Sequence, residues 1–187
     1  EHKTKGARVT YFEGYLWDPP RAKEAIRIAA DQAHAADREV AMTLSDPFCV
    51  DRYREEFLEL MRSATVDIVF ANESEMKSLY QTASFETGLE AFRKDCRLGI
   101  VTRSEKGSIV VRGQETVEIK PLEISELVDT TGAGDLYAAG FLHGYTRNRP
   151  LADCGALGSL AAGLVIQQVG PRPRQNLRDE AQQHGLG

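Results

Sequence analysis

The amino-acid sequence predicts an α/β fold, in which a mostly parallel sheet carries helices on both faces. Short apolar segments alternate with segments of helical periodicity along the whole chain. The apolar segments are short and largely unbroken by polar residues, as buried parallel strands tend to be. Polar turns follow three of them. Because ligands of such sheets bind beyond the carboxyl ends of the strands, these turns are the first place to look for function.

The first half of the chain supplies three strands and four helices. Runs of apolar and β-branched residues predict strands over 9–12, 39–44 and 66–70. Apolar residues that recur at helical spacing predict helices over 20–36, 51–62, 76–80 and 85–94. Pro20 suits the first turn of its helix, where a missing N–H costs nothing.

The second half adds a hairpin and three helices. Strands are predicted over 98–102, 108–112 and 116–119. Gly113 and Gln114 form a tight turn between the last two strands, so an antiparallel hairpin is expected near one edge of the sheet. Helices are predicted from near Gly134, from Leu151 to about Val169, and from Gln175.

Composition excludes several classes of protein. The net charge is −5 and no basic stripe occurs, which argues against nucleic-acid binding. No stretch has the apolar length of a membrane span, and the amino terminus lacks the apolar core of a secretory signal. The three cysteines are far apart, which predicts free thiols in a reducing compartment. We therefore expect a single cytoplasmic domain over residues 1–187 with no nucleic-acid or membrane partner; oligomers remain open.

The stretch from Val128 to Gly144 has the most distinctive chemistry. Gly132, Ala133 and Gly134 carry almost no side chain, so their N–H groups can face a ligand at the start of a helix. The helix dipole favours an anion there, and phosphate is the natural candidate. Asp135 follows at once and suits a general base for a hydroxyl nucleophile. The alternative is an ordinary glycine-rich connection with an acidic residue in the first turn.

Two further polar turns lie at or just after strand ends. They are Asn72–Glu75 and Thr102–Gly107. Together with Thr130–Asp135, from the stretch described above, the chain has three such turns. Each turn alone is compatible with a simple loop. Three such turns in an α/β sheet together predict a nucleotide or phosphate site.

These turns resemble the motifs of the ribokinase-like, or PfkB, family of carbohydrate and nucleoside kinases. Residues 129–135 (DTTGAGD) agree with the family's second signature at every position, and a helix follows. Residues 72–75 (NESE) look like the N-x-x-E motif. Residues 102–107 (TRSEKG) look like the T-x-G-x-x-G turn, with Ser104 in place of the middle glycine. The resemblance extends from the first strand to about Arg174 and implies a three-layer ribokinase-like fold.

The resemblance implies ATP-dependent phosphoryl transfer to a primary hydroxyl of a sugar or nucleoside. Asp135 would take the hydroxyl proton, and Gly132, Ala133 and Gly134 would form the anion hole for the transferred group. Glu75, with Asn72, would hold Mg²⁺ through water molecules.

The family's ATP site falls on a second group of positions. Thr102, Ser104, Glu105 and Gly107 would line the phosphates and ribose, together with Asn72 and Gly134. Ser159 would lie near the base, on a helix whose residues Leu157, Ala161 and Val165 would wall the adenine. For those helix residues, core packing is an equal alternative.

The family often binds a monovalent cation such as K⁺ beside the anion hole. By position, its ligands would be Asp129 and Thr131, with the carbonyls of Val165, Gln168 and Gly170. Arg174 occupies a place where a small residue is more usual, so a built-in cation is the alternative to a bound one.

The resemblance also bears on the acceptor and on completeness. The segments around Gly14 and 154–173 look most like bacterial members that act on adenosine, with ribose or fructose as the alternative acceptor. Relative to complete members, the chain would lack the first strand and helix and the substrate-covering lid. It would be a C-terminal portion with weak or no activity. A non-catalytic nucleotide-binding module and another phosphate enzyme, such as a phosphatase, are the competing hypotheses.

Overall fold

The sheet has six strands in the order in which they occur along the chain. A computed structural model describes residues 2–187 of the protein. The strands, which follow one another from β1 to β6 across the sheet, are β1 (Val9–Glu13), β2 (Glu39–Thr43), β3 (Ile68–Asn72), β4 (Leu98–Thr102), β5 (Ser108–Arg112) and β6 (Glu115–Ile119). All six predicted strands are therefore present, with ends displaced by at most two residues.

The sheet is mixed. Strands β1 and β2 are parallel with Val9 opposite Glu39, and β2 and β3 are parallel with Ala41 opposite Ile68. Strands β5 and β6 are neighbours joined by only two residues, and so short a connection requires an antiparallel pair. The predicted combination of parallel strands with an edge hairpin is confirmed.

Eight helices accompany the strands within residues 2–187. They are α1 (His2–Gly6), α2 (Pro20–His34), α3 (Pro47–Arg62), α4 (Glu73–Leu79), α5 (Phe85–Asp95), α6 (Ala133–Tyr145), α7 (Leu151–Val165) and α8 (Leu177–Gln183). Two short 3₁₀ segments lie at Gly14–Trp17 and Ser104–Lys106. The sequence prediction did not include α1. No helix in this part of the chain has the length and apolar character needed to cross a bilayer.

Helices α3 and α4 begin earlier than the apolar pattern predicted, because a polar residue caps each one. Asp46 accepts hydrogen bonds from the N–H groups of Phe48 and Cys49, at 2.8 and 2.9 Å, and Pro47 follows it as the first helical residue. Asn72 caps α4 in the same way. Capping residues are polar, so the apolar periodicity does not register them.

The chain divides into two compact units. The first extends to Val101 and includes Val111–Glu115; the second comprises Thr102–Val110 and Thr116–Gly187. The core of the first unit contains fully buried large side chains from its helices and strands, among them Trp17, Met42, Phe57, Leu60, Ile68 and Phe92.

Helix α6 packs very closely on α7 in the second unit. A Cβ atom on Gly140 would lie 2.4 Å from the carbonyl oxygen of Leu157, and one on Gly158 would lie 3.0 Å from the ring of Tyr137. Contacts this short leave no room for side chains at the two glycines. The small residues of α6 and α7 therefore fix the position of α6, which begins at the candidate anion site.

Candidate functional site

The start of α6 has the geometry of an anion-binding turn. Gly132 caps the helix with φ of 80° and ψ of 2°, a left-handed conformation that glycine adopts without strain. A Cβ atom there would lie 2.6 Å from the Cβ of Pro171. Ala133 donates to Thr130 at 3.1 Å, and Leu136 donates to Gly132 at 2.9 Å, which closes the first turn.

The first turn of α6 is open on its outer side. The N–H groups of Gly134 and Asp135 precede Leu136, whose N–H makes the first intrahelical hydrogen bond, so they are available to a ligand. Gly134 is exposed, and nothing lies within 4 Å of where its Cβ would be. Asp135 is also exposed. The turn thus places N–H donors, the positive end of a helix and a carboxylate side by side.

Asp129 closes the loop that precedes this turn. Its carboxylate accepts hydrogen bonds from Thr131, at 2.9 Å from the backbone N and 2.7 Å from Oγ1, and from the backbone N of Gly170 at 2.9 Å. These bonds, with that of the Thr131 hydroxyl foremost, lower the pKa of Asp129. The structure therefore brings together three of the residues that the family resemblance assigned to a monovalent cation.

Gln168, from the same assignment, has another role. Its buried side chain donates to the carbonyl of Arg172 and accepts from the N–H of Arg174 at 3.0 Å. Both the Nε2 and the Oε1 atoms of the side chain therefore hold the 168–174 turn. The backbone carbonyl of Gln168 is the atom that is left as a candidate ligand. Arg174 is exposed.

The 102–107 turn is held by its own backbone. Arg103 N donates to Gly107 O at 2.7 Å, and Gly107 N donates to Ser104 O at 3.0 Å. Gly107 has φ of 80°, and a Cβ there would lie 2.0 Å from the carbonyl oxygen of Ile119, so glycine is required. Ser104 has φ of 53°, the left-handed conformation for which a glycine was expected. Ser104 and Glu105 are exposed, whereas Thr102 is half-buried.

Helix α7 contributes mainly core residues. Leu157, Ala161 and Val165 are buried, and Leu157 belongs to a cluster with Leu160, Leu164 and Ala181. Ser159 is half-buried on the same helix. Core packing thus accounts for the three apolar side chains, and Ser159 is the more accessible candidate for a ligand contact.

In the first unit, Asn72 and Glu75 form a reciprocal cap at the start of α4. Glu75 N donates to Asn72 Oδ1 at 2.8 Å, while Asn72 donates from its backbone N at 2.9 Å and from Nδ2 at 2.6 Å to the Glu75 carboxylate. Glu75 is only 5% exposed. Burial raises the pKa of Glu75 to about 7, against the lowering effect of the bond from the Asn72 backbone, and the charge of Asp46 raises it further.

Sequence analysis missed Asp46 as a candidate site residue. It follows β2 and caps α3, and its electrostatic effect on Glu75 places the two carboxylates near one another in the first unit. The signal was present in the Ser45-Asp46-Pro47 triplet, in which an N-cap residue and a first-turn proline follow a strand.

Two exposed aromatic side chains were also missed. Tyr15 follows β1 and is 51% exposed, and Phe48 follows β2 and is 82% exposed. The backbone N of Tyr15 donates to Ser45 Oγ at 3.3 Å, which links the two chain segments. Since β1 and β2 are parallel, both aromatic side chains belong to the carboxyl edge of the sheet in the first unit. The sequence offers no signal of their exposure.

The metal-binding capacity of these residues is limited. Within residues 2–187, no group of three or more His, Cys, Asp or Glu side chains is arranged to hold a metal ion. Mg²⁺ usually keeps several waters and uses one or two carboxylates together with substrate phosphates. Glu75 with Asp46 nearby fits that pattern, because a buried carboxylate is stabilised in its charged form by a cation.

The structure is that of an α/β protein in which the turns at Asn72–Glu75 and Thr102–Gly107 begin at the last residues of β3 and β4. The third turn, Thr130–Asp135, does not follow a strand as expected, because a strand-free segment separates it from β6, and it lies at the start of α6. The chain belongs to the pfkB family of carbohydrate kinases, whose model matches residues 2–176. The family and the fold class expected from the motifs are thereby confirmed.

Individual relatives agree with this assignment. The chain is 32% identical to the adenosine kinase of Saccharomyces cerevisiae over 180 residues, which is 89% of this chain and 52% of that one. The crystal structure of adenosine kinase from Sinorhizobium meliloti is 61% identical with a TM-score of 0.96, over 98% of this chain and 56% of that one. A probable sugar kinase from Rhizobium etli CFN 42 is 60% identical with a TM-score of 0.97, at the same coverage. The chain thus spans about half the length of these relatives.

Proposed function

We propose that this chain is the ATP-binding and catalytic portion of a small-molecule kinase, within one ribokinase-like domain. The observation that carries the proposal is the open start of α6, where the N–H groups of Gly134 and Asp135 and the Asp135 carboxylate are exposed together. Phosphoryl transfer depends chiefly on positioning and electrostatic stabilisation, which these groups supply.

Asp135 is the general base in this proposal. It accepts the proton of the acceptor hydroxyl as the oxygen attacks the γ-phosphorus of ATP, whose bond to the β–γ bridging oxygen breaks and releases ADP. At the anion hole of Gly132, Ala133 and Gly134, the helix dipole and the open N–H groups of Gly134 and the following Asp135 stabilise the charge on the transferred group. The N–H of Ala133 holds the turn by donating to Thr130. Gly132 is needed because its left-handed conformation turns the chain into α6.

The ATP phosphates and ribose lie along the 102–107 turn. Exposed Ser104 and Glu105 supply polar contacts, and Thr102 and Gly107 set the shape of the turn. Asn72 and Ser159 complete the nucleotide contacts that the family resemblance implies. Glu75, with Asn72, would hold Mg²⁺, which would neutralise part of the phosphate charge.

The proposal also includes a monovalent cation site at Asp129, Thr131 and Gly170. The three hydrogen bonds to the Asp129 carboxylate leave room for about one more oxygen contact. Backbone carbonyls, including those of Val165, Gln168 and Gly170, would supply the remaining ligands for K⁺. The exposed Arg174 guanidinium is the competing source of positive charge.

A nucleoside is the favoured acceptor, and adenosine, which would give AMP in purine salvage, is the specific candidate. Exposed aromatic faces such as those of Tyr15 and Phe48 stack on bases, whereas ribose and fructose offer no comparable surface. Adenosine kinases among the relatives support this choice. A sugar acceptor is the alternative, which the probable sugar kinase relative keeps open.

The decisive test is Asp135→Asn in the complete protein that contains this chain, assayed with ATP, Mg²⁺ and adenosine. Loss of a general base costs about 10²–10⁴-fold in turnover. The Kd for ATP should change less than about twofold, because the asparagine keeps the shape and the N–H donors of the helix start. Residues 1–187 alone should bind ATP with much weaker transfer activity.

Asp153→Asn is the matched control, because Asp153 lies in the first turn of α7 as Asp135 does in α6. This control should retain wild-type turnover. Unchanged turnover in Asp135→Asn contradicts the proposed mechanism. ATP binding without any transfer in the complete protein identifies a nucleotide-binding module, and phosphate release without a phosphorylated acceptor identifies a phosphatase.

A further inference from the structure

A buried hydrogen bond joins β5 to α6 inside the second unit. The Ser108 Oγ and Tyr137 Oη atoms lie 2.6 Å apart, and the two residues are 1% and 4% exposed. Both groups are neutral hydroxyls in a site without access to bulk water. A hydroxyl left without its partner there has no replacement for the hydrogen bond that it makes to water in the unfolded chain.

The two ends of this bond are attached to the two halves of the candidate phosphate site. Ser108 directly follows Gly107, the last residue of the 102–107 turn. Tyr137 lies two residues after Asp135, on the buried side of α6 where Asp135 is on the exposed side. The bond therefore ties the turn to the helix that starts with the anion hole.

The surroundings keep the tyrosine ring in one place. A Cβ atom on Gly158 would lie 3.0 Å from the ring and 2.9 Å from the carbonyl oxygen of Tyr137, so the residue packs directly on the backbone of α7. Burial raises the pKa of Tyr137 to about 12, so its hydroxyl keeps its proton at neutral pH. A ring fixed by α7 and a protonated hydroxyl make the bond to Ser108 a directional constraint.

We infer that Ser108 and Tyr137 are positioning residues, which hold the 102–107 turn at the correct distance from the anion hole for one ATP molecule to contact both. This inference rests on the proposed function. Both side chains are buried, so they act through the turn and the helix to which they belong. If the turn is displaced by a fraction of an ångström, the affinity falls more for a ligand that contacts both the turn and the anion hole than for a ligand that contacts only one of them.

The test compares ATP with AMP, which lacks the outer phosphates that reach α6. In the complete protein that contains this chain, Tyr137→Phe and Ser108→Ala should each raise the Kd for ATP about fivefold to tenfold, because the turn and the anion hole are then no longer held in register and part of the hydrogen bond's contribution is lost from binding. The Kd for AMP should change less than about twofold. The double variant should be no weaker than either single variant, since both remove the same bond.

Ser108→Thr keeps a hydroxyl and should restore ATP affinity to within about twofold of wild type. Tyr145→Phe removes a hydroxyl from the opposite end of α6 and should bind ATP as wild type does. Thermal melts with and without ATP identify any variant that fails to fold, and Ser108→Ala, the smaller change, is then decisive. Equal loss of ATP and AMP affinity, additive effects, or no loss would overturn the inference. Failure of the wild-type chain to bind ATP overturns the proposed function itself.

Discussion

Ser104 occupies the position at which the turn motif usually has a glycine, and its backbone conformation is strained. Its φ of 53° lies in the left-handed region, which costs an L-residue about 1–2 kcal/mol relative to the right-handed one. Strain of this kind persists where the surrounding structure holds the conformation, here through the backbone bonds of the 102–107 turn. In the proposed function, the exposed Ser104 hydroxyl contacts a phosphate.

Ser104→Gly and Ser104→Ala separate the strain from the hydroxyl. Glycine should raise the free energy of unfolding by about 0.5–1 kcal/mol because it relieves the strain, after allowance for its greater freedom in the unfolded chain. Alanine should leave that free energy within about 0.5 kcal/mol, since it keeps the strain. Both should weaken ATP binding to the same degree. Urea denaturation and calorimetric titration measure the two effects, and wild-type ATP affinity in both variants would exclude a role for the hydroxyl.

Glu75 is predicted to make the stability of the metal-free chain depend on pH. Its pKa is raised from 4.5 to about 7 by burial, so the folded state holds this proton more tightly than the unfolded state does. The stabilisation is fully present below about pH 4.5 and is lost as the pH rises through 7, an effect of order 3 kcal/mol.

Glu75→Gln should remove this dependence. In urea denaturation with EDTA, the difference in unfolding free energy between variant and wild type should change between pH 5 and 8 in favour of the variant. Glu55→Gln, at an exposed position on α3, controls for the change of charge. A difference that stays constant across this range would show that the Glu75 pKa is not raised.

The start of α6 depends on one glycine and tolerates change at another. A Cβ atom on Gly132 would lie 2.6 Å from the Cβ of Pro171, and the backbone there is left-handed. At Gly134 the space around such an atom is open and the backbone is helical. The glycine pair of the motif therefore combines two requirements. The first glycine shapes the turn, and the second leaves its N–H uncovered.

Gly132→Ala should lower the free energy of unfolding by about 2 kcal/mol, from backbone strain together with the clash. Gly134→Ala is the matched control and should change it by less than about 1 kcal/mol, since alanine favours a helix. Thermal or urea denaturation measures both. Equal destabilisation of the two variants would contradict the assigned geometry of the turn.

The second unit holds most of the chemistry that the motifs predicted. The 102–107 turn, the anion hole, Asp129 and Asp135 all belong to it, while Asn72 and Glu75 belong to the first unit. In the first unit Asn72 and Glu75 form a local cap, whereas the bonds between Asp129 and Gly170 and between Ser108 and Tyr137 join distant segments of the second unit. The described cysteines are free, as predicted, and the structure also shows them to be buried, whereas the cytoplasmic location stays a prediction.

The chain spans about half the length of its relatives, so the proposed acceptor and activity are tested in the complete protein that contains it. The exposed aromatic residues Tyr15 and Phe48 favour a nucleoside as the first acceptor to test. The expectation of weak activity for residues 1–187 follows the same logic, because phosphoryl transfer requires closure over the acceptor.

The sequence by itself determined the strand order along the chain, the α/β class and the location of the polar turns. These follow from hydrophobic periodicity and from residues such as Gly132 and Asp135, whose effects act within a few positions. Helix starts at Pro47 and Glu73 were misplaced because capping residues interrupt the apolar pattern that was used to find them.

Only the tertiary structure decided which distant side chains meet. The Ser108–Tyr137 bond, the effect of Asp46 on Glu75, and the exposure of Phe48 each depend on packing between segments far apart in the chain. The strain at Ser104 likewise follows from its positive φ, which cannot be read from the residue type. Local patterns encode turns and periodicity, whereas burial and partnership are properties of the packed chain.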